Sequence, residues 1–121
     1  AVIDPNLVLG KKISTPMNFI HGTCDELLDM YSGNPFRCAD RKTFPIVYGG
    51  AAIYEASRTQ NNPVYLNMIC NGSHSMSVIG YNKLIDLISD FTYSVIQGKP
   101  ITGKQIVPAE KGVCNKPELC K

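Results

Sequence analysis

The apolar residues of this chain occur in short continuous runs in some regions and at helical spacing in others. Two runs, residues 16–20 and 64–69, are each closed by a glycine, which is typical of buried strands. The second run is rich in β-forming residues. Pro16 is tolerated at the first position of a strand, because no ladder hydrogen bond is lost there. We therefore predict two strands.

In two other regions apolar residues recur every three or four positions, which predicts amphipathic helices. Residues 48–60 form the first helix, which ends before Pro63. The second helix has an apolar stripe from 81 to 95 and stops at Gly98. The segments 27–45 and 101–121 contain prolines and show no period, so we predict a long loop and an irregular tail.

The order strand, loop, helix, strand, loop, helix predicts an α/β fold with a parallel sheet covered by helices. Two strands do not make a stable sheet by themselves, and the stripe of the last helix needs a surface to pack on. The chain also begins with alanine instead of methionine. We therefore interpret it as a fragment, in which residues 1–100 are the C-terminal part of a larger domain and 101–121 are a tail.

Composition and charge limit the classes of partner. The chain has 121 residues, 44% of them hydrophobic and 18% charged, which is ordinary for a globular domain. Its net charge is only +2 and its basic residues are scattered, so we expect no nucleic-acid partner. No apolar run approaches the ~18 residues of a membrane helix, so we predict no membrane span.

Five cysteines are many for a chain of this length: Cys24, Cys38, Cys70, Cys114 and Cys120. No zinc-ligand spacing is present, so we expect no metal site and instead predict disulfides in a secreted, periplasmic or cell-envelope protein. Cys114 with Cys120 would staple the tail, and Cys24 with Cys38 would clamp a loop. The fifth cysteine then needs an external partner or stays a buried thiol. The sequence leaves the connectivity open.

Two polar segments follow the predicted strands, Ile-His-Gly-Thr-Cys-Asp at 20–25 and Asn-Gly-Ser-His at 71–74. Catalytic groups of open α/β sheets gather at the carboxyl ends of strands, so we expect Asp25 and His74 to face the same crevice. A carboxylate orients an imidazole and stabilises the imidazolium that forms when it removes a serine proton. No Gly-x-Ser-x-Gly occurs in the chain, so the matching nucleophile is missing.

Three segments and the closing helix resemble the C-terminal third of α/β-hydrolase-fold esterases and lipases. The segments are Phe-Ile-His-Gly-Thr-Cys-Asp at 19–25, Tyr-Gly-Gly-Ala-Ala-Ile at 48–53 and Leu-Asn-Met-Ile-Cys-Asn-Gly-Ser-His at 66–74. The acid precedes the histidine, as in that fold. The resemblance implies that residues 1–100 belong to such a domain, with Asp25 as the triad acid and His74 as the general base.

The resemblance implies a serine hydrolase that cleaves a small-molecule carboxylic ester with a Ser-His-Asp triad and needs no cofactor. The serine would come from the missing N-terminal part of the domain or from a second chain, and the fragment alone is expected to be inactive. A serine peptidase of the same fold would share these loops. The alternative from another class is a non-catalytic, disulfide-stabilised secreted module that folds alone and binds a partner.

Other titratable residues compete with this pair. His21 ends an apolar strand beside Gly22, where we expect a structural hydrogen bond and not general-base catalysis. Glu26 and Asp29 are alternative acids, which we interpret as solvated carboxylates on the loop surface.

Several nucleophilic side chains also lie near the two segments. Ser32, Ser73 and Ser75 do not sit on the tight strand-to-helix turn that exposes an activated hydroxyl, so we do not assign them as the nucleophile. Cys24 and Cys70 adjoin the two catalytic segments. We interpret them as disulfide partners or small buried residues.

Overall fold

The computed structural model describes residues 5–33 and 46–121 of the chain. In chain order the described helices and strands are β1 (Met17–Gly22), β2 (Ser32–Gly33), β3 (Val47–Tyr48), α1 (Gly50–Arg58), β4 (Val64–Cys70), α2 (Tyr81–Ile96) and β5 (Gly103–Pro108). The two predicted strands and the two predicted helices are thereby confirmed, with bounds shifted by one or two residues. Of the predicted loop at 27–45, residues 34–45 lie outside the described residues.

Strands β1, β4 and β5 form a parallel sheet in that order, and β2 pairs with β3 in a short antiparallel ladder. Met17 lies beside Val64, and Tyr65 lies beside Gly103. The central strand, β4, is buried on both faces, which explains why its sequence is an almost continuous apolar run. The fold class is therefore mixed α/β, as predicted.

The two helices cover opposite faces of this sheet. Ala51 of α1 packs with Leu66 and Met68 of β4, whereas Leu87 of α2 packs with Ile69. Successive side chains of a strand point to opposite faces, so these contacts place α1 and α2 on different sides. Within the described residues neither helix is long and apolar enough to cross a bilayer.

The prediction of an irregular tail is wrong for the residues that form β5. Val107 is buried against Ile69, while the adjacent Ile106 is 43% exposed. Lys104 and Gln105 interrupt the apolar pattern, so the sequence alone does not indicate a strand here. The strand forms because the second edge of β4 offers unpaired backbone groups, and this long-range pairing leaves no local signal.

Two disulfides join described residues, Cys24 to Cys114 and Cys70 to Cys120. The Cys114–Cys120 staple and the Cys24–Cys38 clamp are therefore both wrong, because Cys114 is bonded to the turn after β1 and Cys120 to the last residue of β4. Cys38 itself lies outside the described residues. Two such cross-links fit an oxidising environment.

Candidate active site

The turn after β1 is hydrogen-bonded directly to the loop after β4. The backbone N–H of Thr23 donates to Ile69 O (3.0 Å), and that of Cys24 donates to Gly72 O (2.8 Å). In return, the backbone N–H of Asn71 donates to the buried hydroxyl of Thr23 at 2.9 Å. Because β1 and β4 are parallel neighbours, their carboxyl ends meet at one edge, and these bonds then fix the two segments to each other.

Gly22 permits this close approach. A Cβ atom at this position would overlap the backbone carbonyl oxygens of Gly72 and Ser73. Asn71 starts the second loop with a φ of 59°, a left-handed conformation that asparagine adopts more readily than most residues. The local chemistry of both motifs therefore serves to bring the two loops together.

Asp25 and His74 meet at this junction. Oδ2 of Asp25 lies 2.9 Å from Nδ1 of His74, which is hydrogen-bond distance. Oδ1 of Asp25 accepts the backbone N–H groups of Leu27 and Leu28, both at 2.9 Å. The Asp25 side chain is 5% exposed and the His74 side chain 51%. The carboxylate is therefore held firmly by its own loop, while the imidazole remains accessible.

Opposing effects act on the pKa of Asp25. Burial of the carboxyl raises its pKa, because the charged form loses water. Hydrogen bonds from the Leu28 amide, from His74 and from the Leu27 amide lower it, and the net pKa lies below the ordinary value for aspartate. The group is thus ionised at neutral pH, which is the state that stabilises a neighbouring imidazolium.

His21 makes structural hydrogen bonds, as predicted. Its Nδ1 accepts the backbone N–H of Gly50, the first residue of α1, at 3.1 Å, and its Nε2 donates to Leu28 O at 3.0 Å. These bonds assign the neutral tautomer with the hydrogen on Nε2, which also lies 3.4 Å from Oδ2 of Asp25. Both ring nitrogens are thus engaged with backbone groups, so the ring supports the Asp25 loop.

The other candidate residues make local contacts. Oδ1 of Asp29 accepts the backbone N–H groups of Tyr31 and Ser32, at 2.8 and 3.2 Å, and closes a turn. The hydroxyl of Ser75 shares a hydrogen bond with Ser77 at 2.7 Å. Glu26, in the same loop, is exposed. No serine, threonine or cysteine within 5–33 and 46–121 is hydrogen-bonded to Nε2 of His74.

A cavity of about 460 Å³ lies next to this pair, at the edge of β1 that faces away from β4. His21, Asp25 and His74 supply its polar lining. The apolar lining comes from both helix-covered faces and from the loops: Phe19, Ile20, Leu28, Leu84 and Ile88. A few polar groups in a mostly apolar pocket suit a ligand with one polar reactive group on an apolar body.

Sequence reasoning missed two supports of the site. Thr23 binds the loop of His74 through its hydroxyl, and the only signal was its place in the His-Gly-Thr-x-Asp motif. The tail also contacts the site, through Cys114. Its cysteines were visible in the sequence, but their partners were not.

No group of three or more His, Cys, Asp or Glu residues able to hold a metal ion occurs in the described ranges. Comparisons with known protein families, with curated proteins and with solved structures found no match for this chain. The resemblance to α/β-hydrolases therefore stays a prediction, and the functional interpretation depends on the geometry of Asp25, His74 and their cavity.

Proposed function

We propose that this chain is the C-terminal part of an α/β-hydrolase-fold serine hydrolase that cleaves carboxylic esters. The observation that carries the proposal is the 2.9 Å contact between Asp25 and His74, on loops that follow neighbouring parallel strands. Asp25 is the triad acid and His74 the general base. The nucleophilic serine and the oxyanion hole come from an upstream part of the domain or from a second chain.

The hydrogen-bond pattern suits this chemistry. A carboxylate can only accept, so Nδ1 of His74 carries the hydrogen and Nε2 carries the lone pair. Nε2 would take the serine proton as the serine oxygen attacks the ester carbonyl, and would then give it to the leaving alcohol. In the second half of the cycle, Nε2 takes a proton from water as the water oxygen attacks the acyl-enzyme carbonyl. It then gives that proton to the serine oxygen as the acyl–serine bond breaks and the carboxylic acid is released. Asp25 stabilises the imidazolium in both halves.

The exposed apolar surface around the cavity supports the proposal that this chain is only part of a domain. Among the described residues β1 pairs with a strand on one side only, so its other edge is open. Next to that edge α2 exposes an apolar stripe: Tyr81, Ile85, Ile88 and Ile96. Open strand edges and large apolar surfaces are normally covered in a finished protein. Further strands from the rest of the domain would cover both.

The two disulfides support export to an oxidising compartment, so we place the enzyme outside the cell, in the periplasm or in the cell envelope. They also favour the second candidate, a non-catalytic secreted binding module. That candidate predicts that all apolar stripes are covered by the chain itself, whereas Ile85, Ile88 and Ile96 of α2 are exposed. A serine peptidase of the same fold would use Asp25 and His74 in the same roles, and the resemblance is what favours an ester.

The test is hydrolysis of nitrophenyl esters by the intact gene product, with the matching nitroanilides to detect a peptidase. His74→Gln is expected to lower kcat by about 10⁴-fold or more, because the general base is removed. Asn82→Ala, at an exposed position of α2, is the control and should keep wild-type activity. A His74→Gln variant as active as wild type would refute the proposal, and so would the lack of a Gly-x-Ser-x-Gly in both the intact product and any chain that assembles with it.

A further inference from the structure

The segment after β5 contacts both loops of the candidate active site. We name residues 113–120 the C-terminal clasp. Cys114 is bonded to Cys24, directly before Asp25. The backbone N–H of Val113 donates to Asn71 O at 2.8 Å, and that of Lys116 donates to Asn71 Oδ1 at 3.2 Å. The clasp thus connects the acid loop to the histidine loop from the outside.

The clasp does not hold the acid loop by tight packing. A second cavity of about 460 Å³ lies between them, lined by Asp25, Ser73, Val113 and Lys116 among others. Asp25 therefore borders both cavities, although its side chain is largely buried. On this side the disulfide is the covalent connection that spans the gap between the acid loop and the clasp.

The second disulfide, Cys70–Cys120, is attached to a more strongly hydrogen-bonded part of the backbone. Cys70 is the last residue of β4, whose backbone is paired with β1 on one side and with β5 on the other. Cys24 lies instead in a turn outside the ladder, which three hydrogen bonds join to the end of β4 and its loop: Cys24 N–H to Gly72 O, Thr23 N–H to Ile69 O, and Asn71 N–H to the Thr23 hydroxyl. Loss of the Cys70–Cys120 bond leaves a strand in its ladder, whereas loss of the Cys24–Cys114 bond leaves the turn that carries Asp25 with a few hydrogen bonds and no covalent link to the clasp.

We propose that the Cys24–Cys114 disulfide is a positioning element, which keeps the carboxylate of Asp25 against Nδ1 of His74. Its meaning for catalysis rests on the proposed function, but the geometric claim does not. Neither cysteine touches substrate in this proposal. They act on the reaction indirectly, by keeping the His74 imidazole in its orientation. A displaced Asp25 carboxylate would no longer hold that orientation.

The test compares two double variants of the intact gene product labelled with ¹⁵N-histidine. In Cys24→Ser/Cys114→Ser we expect the downfield Nδ1–H signal of His74 to broaden or vanish and kcat to fall about 10²-fold with little change in KM. In the matched Cys70→Ser/Cys120→Ser variant the signal and kcat are expected to persist, although the melting temperature falls. If the serine pair does not fold, Cys24→Ala/Cys114→Val fills the space with apolar groups and should give the same loss.

An unchanged Nδ1–H signal in the folded Cys24/Cys114 variants would overturn the positioning role. Equal loss of the signal in both folded double variants would also overturn it, because the effect would then be general to the tail. Failure of the proposed function looks different. In that case the intact wild-type protein hydrolyses no ester, while the signal still responds to removal of the Cys24–Cys114 bond alone.

Discussion

The two ends of the sheet use buried polar side chains in opposite ways. At the amino end, Asn62 is 4% exposed, and both its amide oxygen and its amide nitrogen are hydrogen-bonded. Its Oδ1 accepts the backbone N–H of Ile13 at 2.7 Å, and its Nδ2 donates to Lys11 O at 2.9 Å. At the carboxyl end, the equally buried carboxylate of Asp25 is bonded to the half-exposed ring of His74.

This difference distinguishes polar side chains that stabilise the fold from those that could take part in catalysis. The hydrogen bonds of the Asn62 side chain go to backbone groups of the segment before β1, so it stabilises the fold. The two ring nitrogens of His21 are also hydrogen-bonded to backbone groups, although His21 lies at the carboxyl end of the sheet. His74 has a ring nitrogen with no partner among the described residues and lines a cavity. Spare hydrogen-bonding capacity beside a cavity, and not residue type, marks the candidate site.

Asp25→Asn is expected to have the largest effect on activity. An amide at this position would favour the wrong tautomer of His74, so we expect kcat for ester hydrolysis by the intact gene product to fall about 10⁴-fold. The matched control is Asp29→Asn, in the same loop, whose carboxylate accepts only local backbone N–H groups. The control should keep most of the activity. A similar fall in kcat for Asp25→Asn and Asp29→Asn would contradict the prediction that only the carboxylate bonded to His74 takes part in catalysis.

Asn62→Ala tests the structural role of the buried amide at the amino end of the sheet. It leaves the N–H of Ile13 and the carbonyl of Lys11 without their partner, which we expect to cost about 3 kcal/mol of unfolding free energy. Urea denaturation measures the loss, with the exposed Asn82→Ala as the control, expected within about 0.5 kcal/mol of wild type. Because the site is at the opposite end, kcat of the folded Asn62→Ala enzyme should not change. A large fall in kcat would mean that the two ends are coupled.

Gly22→Ala tests the close approach of the two catalytic loops. The added Cβ would overlap the carbonyls of Gly72 and Ser73, so the loops must separate. We expect a loss of about 2 kcal/mol in unfolding free energy, measured in urea, together with lower ester hydrolysis. A variant with wild-type stability and activity would show that the approach is not needed.

The pH dependence of stability gives the smallest expected effect. The pKa of Asp25 lies below its value in the unfolded chain, which is about 3.9. The ionised carboxylate therefore stabilises the fold above that pH, and the stabilisation is lost as pH falls through the lower folded-state pKa. Between about pH 6 and 3 the urea midpoint of wild type should fall more than that of Asp25→Asn. Parallel curves would contradict this contribution.

The site was predictable to the extent that it follows from the order of elements. Once residues 16–20 and 64–69 were interpreted as parallel neighbours, Asp25 and His74 had to lie at the same edge. The structural role of His21 was also accessible, because it ends a buried strand. The second bond of its ring was not, since the N–H of Gly50 lies 29 positions away in sequence.

The sequence predicts the local elements, since the apolar patterns of β1, α1, β4 and α2 involve residues close to one another in the chain. It also determined the edge of the sheet at which the polar motifs occur. The place of β5 in the sheet and the pairing of Cys24 and Cys70 with the tail depend on long-range contacts. These features depend on contacts between segments far apart in the sequence. Such contacts stabilise the fold without producing a periodic pattern of residues.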